Sequence, residues 1–253
     1  MSKLFLGLAP VALMLSSLSA QAVTPAEVMQ KHYPRYHKTS QCWEAKDPDQ
    51  GSYCMQLERP KTVQTADGEK MFLIARGKKF DFQTGKEDGA HVNSGFVGVF
   101  MLTKDASNAW VLSAAKPWVP MGAFGNAPEN WALAQFGPNV YGYLNTVGDM
   151  HQGYSGASAA ILLNIGNQWL ETGVPLEFSD EGAVGEGMGT LLEAKMTVNK
   201  DAEPQGGVFP LTLTLKGHEG KKRYNNKAYT FTFSPKAKGY IGPKAYPLFN
   251  RDY

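Results

Sequence analysis

Leu211-Thr212-Leu213-Thr214-Leu215-Lys216 alternates leucine with a polar residue through three repeats. A strand that buries one face and wets the other needs this period of two, because successive side chains leave opposite sides of the pleat. Tyr229-Thr230-Phe231-Thr232-Phe233 repeats the pattern with aromatic rings in place of leucine. Toward the N-terminus, short apolar runs recur with turn chemistry between them. Residues 95–103 and 109–113 flank Lys104-Asp105-Ala106-Ser107-Asn108, and residues 130–136 and 140–144 flank Gly137-Pro138-Asn139. Residues 158–165 and 168–171 flank Gly166-Asn167, a two-residue turn of the kind hairpins favour. A further run, residues 70–76, lies between Asp67-Gly68 and Gly77. The pattern predicts an all-β fold, mainly an antiparallel sandwich or barrel-like arrangement. Residues 159–163 and 191–196 also suit a helix, so an α+β fold is the second choice.

One helix is predicted. Thr24-Pro25-Ala26-Glu27 combines a cap, proline at the first helical position and glutamate three residues after the cap. The helix runs through Val28, Met29 and Lys31 and ends before Pro34, which disfavours helical geometry at Tyr33. Trp110, Trp131 and Trp169 each follow a turn, at irregular gaps, and read as core residues rather than marks of a repeat.

The first 22 residues read as a cleavable signal: one positive charge at Lys3, an apolar run from Leu4 to about Leu15, and a small-residue ending at Ala20-Gln21-Ala22. The apolar run is too short to span a bilayer, which needs roughly 20 apolar residues. Cleavage after Ala22 would release a chain starting at Val23, bound for the periplasm or the exterior, with no later membrane span. Residues 23–60 are expected to hold the helix and a disulfide segment, and residues 61–253 the β domain. In an oxidising compartment Cys42 and Cys54 pair most simply as a disulfide, the alternative being half of a metal site. Lys and Arg total 25 against 23 Asp and Glu. That balance argues against a nucleic-acid partner.

Residues 117–156 are dense in glycine, proline and aromatic rings, including Pro117-Trp118-Val119-Pro120-Met121-Gly122-Ala123-Phe124-Gly125, Gln135-Phe136-Gly137-Pro138-Asn139-Val140-Tyr141-Gly142 and His151-Gln152-Gly153-Tyr154-Ser155-Gly156. Together with the signal and Trp110-Val111-Leu112, this stretch resembles uncharacterised secreted proteins of Gram-negative bacteria. The resemblance implies a compartment and no activity. Trp118, Phe124, Tyr141, Tyr143 and Tyr154 are candidates for a loop platform binding a glycan, a peptide or an apolar ligand, against the plainer reading that these rings fill the core.

Catalytic chemistry has one candidate. Ser155 lies between Tyr154 and Gly156, with His151 or His91 as base and Asp105 as a carboxylate. A hydrolase elbow needs glycine two residues after the serine, where this chain has Ala157. His32 and His37, five apart around Pro34, do not make a helical zinc pair, whereas His151 has Asp149 nearby to orient it. Asp180, Glu181 and Glu186 in a glycine-rich stretch offer oxygen ligands for calcium without a known loop spacing. Lys221-Lys222-Arg223 with Lys216, Lys227, Lys236 and Lys238 could face an anionic envelope polymer, or form a solvated face neutralised by the acidic segment 171–203. The expected function is a non-enzymatic periplasmic binding or accessory protein without a cofactor. The alternatives are a secreted serine hydrolase and a structural component docked on anionic polymer.

Overall fold

The computed structural model describes residues 22–251 apart from 50 and 91, and residue 250 without its side chain. Residues 1–21 and His91 therefore lie outside the described residues. Strand accounts for 60% of the structure and helix for 7%, and both sheets are antiparallel. The all-β expectation holds. The mixed alternative does not, because residues 159–163 and 191–196 both lie in strands.

Helix α1 (Pro25–His32) begins at the predicted capping box: Thr24 Oγ1 accepts from the Glu27 amide, and Glu27 Oε2 accepts from the Thr24 amide. The first sheet is built from β1 (Arg35–His37), β2 (Cys42–Asp47), β3 (Gly51–Leu57), β4 (Lys61–Thr65), β5 (Gly68–Asp81), β6 (Lys86–Glu87), β7 (Gly95–Lys104) and β8 (Trp110–Met121). Its order is β1-β2-β3-β5-β7-β8, with β4 and β6 also on β5. The second sheet comprises β9 (Ala132–Gln135), β10 (Tyr141–His151), β11 (Tyr154–Ile165), β12 (Gln168–Ser179), β13 (Thr190–Val198), β14 (Leu211–Glu219), β15 (Lys222–Ser234) and β16 (Gly239–Ile241). Each of its strands pairs with the next in sequence, so it is one continuous meander. The turn at Gly166-Asn167 has positive φ at both residues, as the hairpin chemistry requires.

Three cores follow from how side chains alternate. On β7, Phe96, Phe100 and Leu102 point to one side, where they meet Val28, Met29 and Tyr33 of the α1 region. Val97, Val99 and Met101 point to the other, where they meet Trp131, Tyr143, Leu162 and Trp169 from the second sheet. On β11, Ala160 and Leu162 join that middle core, while Ile161 and Leu163 enter a third. The third core gathers both halves of the second sheet around Leu211, Leu213, Leu215, Tyr229, Phe231 and Phe233. This sheet curls on itself: the Tyr240 amide of β16 donates to Thr172 Oγ1 of β12 at 3.2 Å, and the Tyr246 hydroxyl donates to the Pro175 carbonyl at 2.8 Å. The architecture combines a two-sheet sandwich with a barrel-like half.

β3 pairs with β5 from Tyr53↔Lys79 to Leu57↔Ala75, so the helix and disulfide segment, residues 23–60, shares a sheet with the strands that follow. Close backbone approach ties α1 to that sheet at Gly98. The Tyr33 ring crosses β7 there, and its hydroxyl donates to the Pro117 carbonyl at 2.6 Å. A Cβ on Gly98 would lie 2.1 Å from that hydroxyl oxygen. Gly98→Ala should therefore lower stability by about 1–3 kcal/mol, the usual cost of overpacking. Chemical denaturation of the double variant Gly98→Ala/Tyr33→Phe should show part of the loss restored, because the clashing oxygen is gone; additive losses would refute this packing.

Candidate functional site

The most developed site lies on the N-terminal hairpin, in the segment that the sequence marks only as polar and disulfide-bearing. On β2, Cys42, Glu44 and Lys46 leave one side of the strand and Ala45 enters the α1 core on the other. The registers align Arg35 with Glu44 and Glu44 with Cys54, so alternation gathers these side chains on one face. The Cys42–Cys54 disulfide, with an S–S distance of 2.06 Å, joins β2 to β3 beneath them. The disulfide expectation holds, and the half metal site is excluded because both sulfurs are bonded.

Glu44 is the organising group. Its side chain is 6% exposed, an unusual burial for a carboxylate unless it is paired. Oε2 accepts from His37 Nε2 at 3.0 Å and from Arg35 Nη1 at 3.2 Å. Oε1 faces Ser52 Oγ at 3.4 Å and Lys46 Nζ at 3.5 Å. An ionised carboxylate only accepts, so His37 carries its proton on Nε2 in this arrangement. Burial alone would raise the Glu44 carboxyl. The His37 hydrogen bond, followed by the Lys46 and Arg35 charges, outweighs burial and holds it below the ordinary glutamate value.

Around this carboxylate opens a cleft of about 760 Å³. One wall is Arg35, His37, Glu44 and Lys46, and the other is the end of β5 with its following turn, Lys79 to Gln83. Pro48, Asp49, Gly51, Ser52 and Asp88 complete the lining. Arg35 and Lys46 keep most of their side chains in solvent, at 68% and 69% exposure. Lys79 pairs with Asp88 at 3.4 Å. Asp81 holds its own turn by accepting from the Thr84 hydroxyl and the Gln83 amide, which keep its carboxyl below the ordinary aspartate value. His37 stacks on Phe82 with ring centroids 4.0 Å apart, and Phe80 meets Phe82 edge-on at 4.9 Å.

The five aromatic candidates do not form one surface. Trp118 packs edge-on against Tyr33 and Phe96 beside the α1 core, and it borders a second cavity of about 340 Å³ that it shares with His32, Arg35, Glu44 and Lys46. Tyr143 is fully buried in the middle core on the opposite side of the first sheet, stacked on Trp169. Tyr141 packs against Phe72 in that same core. Phe124, half exposed, sits on the loop that approaches Gly89, and Tyr154, 38% exposed, opens β11.

Among the described residues, the catalytic candidates Ser155 and His151 are also apart. His151 pairs with Tyr154 and Met150 with Ser155, so the side chains of His151 and Ser155 leave opposite faces of the hairpin. Asp105 is spent in its turn, accepting from the Ser107 and Ala109 amides and the Ser107 hydroxyl. Asp180 accepts from the Thr190 amide at 2.6 Å, and Glu181 faces His218 Nε2 at 3.1 Å. Among the described residues no three His, Cys, Asp or Glu side chains are grouped to hold a metal. The basic hairpin of β14 and β15 is partly neutralised: Lys216 pairs with Glu193 at 2.7 Å and Lys222 with Glu219 at 3.8 Å. Lys221, Arg223 and Lys227 remain exposed on it.

Comparison with protein-family models, with curated proteins and with solved structures finds no match to this chain. Its function has to be read from its own residues. The cleft had a legible signal: Arg35-x-His37 and Cys42-x-Glu44-x-Lys46 both carry the period of two.

Two consequences can be measured. Closing a loop of this length is worth about 3 kcal/mol on the chain-entropy model, so Cys42→Ser/Cys54→Ser should lose roughly that much in denaturant titration. An unchanged midpoint would separate the hairpin's stability from its cross-link. A carboxylate held below its unfolded value adds stability that is complete above the unfolded value and is lost as pH falls through the folded one. Glu44→Gln should therefore be less stable than the native chain near neutrality by about 1–2 kcal/mol, the scale of a charge-assisted hydrogen bond. The gap should close on acidification below the ordinary glutamate range. A gap independent of pH would assign Glu44 a purely steric role.

Proposed function

We propose that this chain is an exported, non-enzymatic binding protein of the periplasm or exterior, and that its ligand enters the cleft at Glu44. The observation that carries the reading is a buried carboxylate fixed by donors from β1, β2 and β3 at the wall of an open, mostly polar cavity. Such pre-organisation lets Arg35 and Lys46 present unused donors without reordering when a ligand arrives. The leader-like N-terminus supports export. So does the disulfide, and no helix among the described residues is long and apolar enough to cross a membrane.

A second reading has its own observation. Lys221, Arg223 and Lys227, exposed on one hairpin, suit salt-sensitive docking on an anionic polymer. The serine hydrolase gains nothing from the opposite facing of Ser155 and His151.

A thermal-shift screen of small polar metabolites, oligosaccharides and short peptides tests the proposal. Hits should raise the melting temperature of the native protein, and Arg35→Ala/Lys46→Ala should weaken them by about tenfold or more, as loss of charge-assisted hydrogen bonds predicts. Hits indifferent to both substitutions, or a fluorophosphonate adduct on Ser155 in the folded protein, would contradict it.

A further inference from the structure

We infer that the ligand of the Glu44 cleft is a neutral saccharide, seated with a ring face on Phe82 and its hydroxyls between the two charged walls; this rests on the binding reading above. Three features of the cleft select that class.

The first is charge. The walls hold three full cations, Arg35, Lys46 and Lys79, against four carboxylates, Glu44, Asp49, Asp81 and Asp88. A site built for a polyanion or a polycation carries one dominant sign, since unmatched charge at close range is repulsive. Here the signs nearly cancel and stand side by side, Glu44 beside Arg35 and Lys46, and Asp88 beside Lys79. A ligand whose groups both donate and accept fits such walls. A hydroxyl can accept from a guanidinium or ammonium and donate to a carboxylate at once.

The second is the small share of apolar lining. Phe80, Phe82 and Pro48 are the apolar side chains of the cleft. A lipid or an extended apolar peptide would leave most of these charges desolvated without partners, which is costly. A polyol leaves few of them unmatched.

The third is the aromatic arrangement. His37 covers one face of Phe82 and Phe80 meets its edge, so the ring is fixed while it still lines the cavity. A held planar ring offers area at little entropic cost. The C–H face of a pyranose is a flat, weakly polar surface that pairs with such a ring. The cavity volume, about 760 Å³, falls within the range of ordinary small-molecule sites and has room for more than one sugar ring.

The test is an array of neutral, acidic and amino oligosaccharides, followed by calorimetric titration of the strongest hit into the full folded chain. Binding of a neutral oligosaccharide should survive a rise from about 0.05 to 0.5 M NaCl with less than about twofold change in Kd, because no net charge is screened. Phe82→Ala should weaken it by about tenfold, the scale of an aromatic anchor, and Phe82→Tyr should restore most of the affinity. Circular dichroism and the melting temperature of Phe82→Ala confirm that the fold is kept; should that variant fail to fold, Phe82→Leu, which keeps bulk and removes the planar face, serves in its place. A hit restricted to acidic or amino sugars and lost with salt, or a peptide or metabolite that binds through Arg35 while no neutral saccharide does, overturns the saccharide assignment and leaves the binding reading standing. Ligands of every class indifferent to Arg35→Ala, Lys46→Ala and Phe82→Ala overturn both.

Discussion

Burial of single strands on both faces is the constraint from which the rest of this structure follows. β5 and β7 each send consecutive side chains into two different cores, with Phe72 and Ile74 on one side and Leu73 and Ala75 on the other. β11 does the same between the middle core and the curled half of the second sheet. A strand in that position cannot slip by one residue without exchanging two packed sets at once, so register is fixed from both sides. The ring of Tyr33, laid across Gly98, then fastens α1 to the same strand.

The cleft inherits its rigidity from this arrangement. β5 leaves the cores near Gly77 and continues as Lys79, Phe80 and Asp81, which become one wall. The other wall belongs to β1 and β2, held by pairing to β3 and by the disulfide. Glu44 stands where the two constraints meet. Its desolvation is opposed by three nearby cationic or hydrogen-bonding partners, so the charge stays on the carboxylate and the partners stay in place. A preformed polar site results from a local excess of donors around one buried acceptor.

How far this was legible in the sequence depends on burial. Leu211-Thr212-Leu213-Thr214-Leu215 faces a core on one side only, so its alternation could be read directly, and the strand is where the pattern puts it. Gly95 to Leu102 is buried throughout, and a continuous apolar run of this kind says strand without saying which residue faces which core. Residues 159–163 carry the same ambiguity, with a helix as the second choice, and pairing fixes them in β11. The aromatic stretch 117–156 drew attention by density, yet Tyr143 and Trp118 serve separate cores. Density reports composition and not facing. Glu44 lay in a segment that looks coreless because its core, around Ala45, Tyr53 and Met55, is supplied by α1, β5 and β7 from elsewhere in the chain.

Native-state amide hydrogen exchange measures the shared-strand claim most directly. If β5, β7 and β11 unite the three cores, their amides should exchange only through global unfolding, as the slowest set in the protein, with a free energy equal to that from denaturant titration. Amides of β7 opening more readily than those of β14 and β15 would show the cores to be separable, and the cleft would then rest on a scaffold that comes apart beneath it.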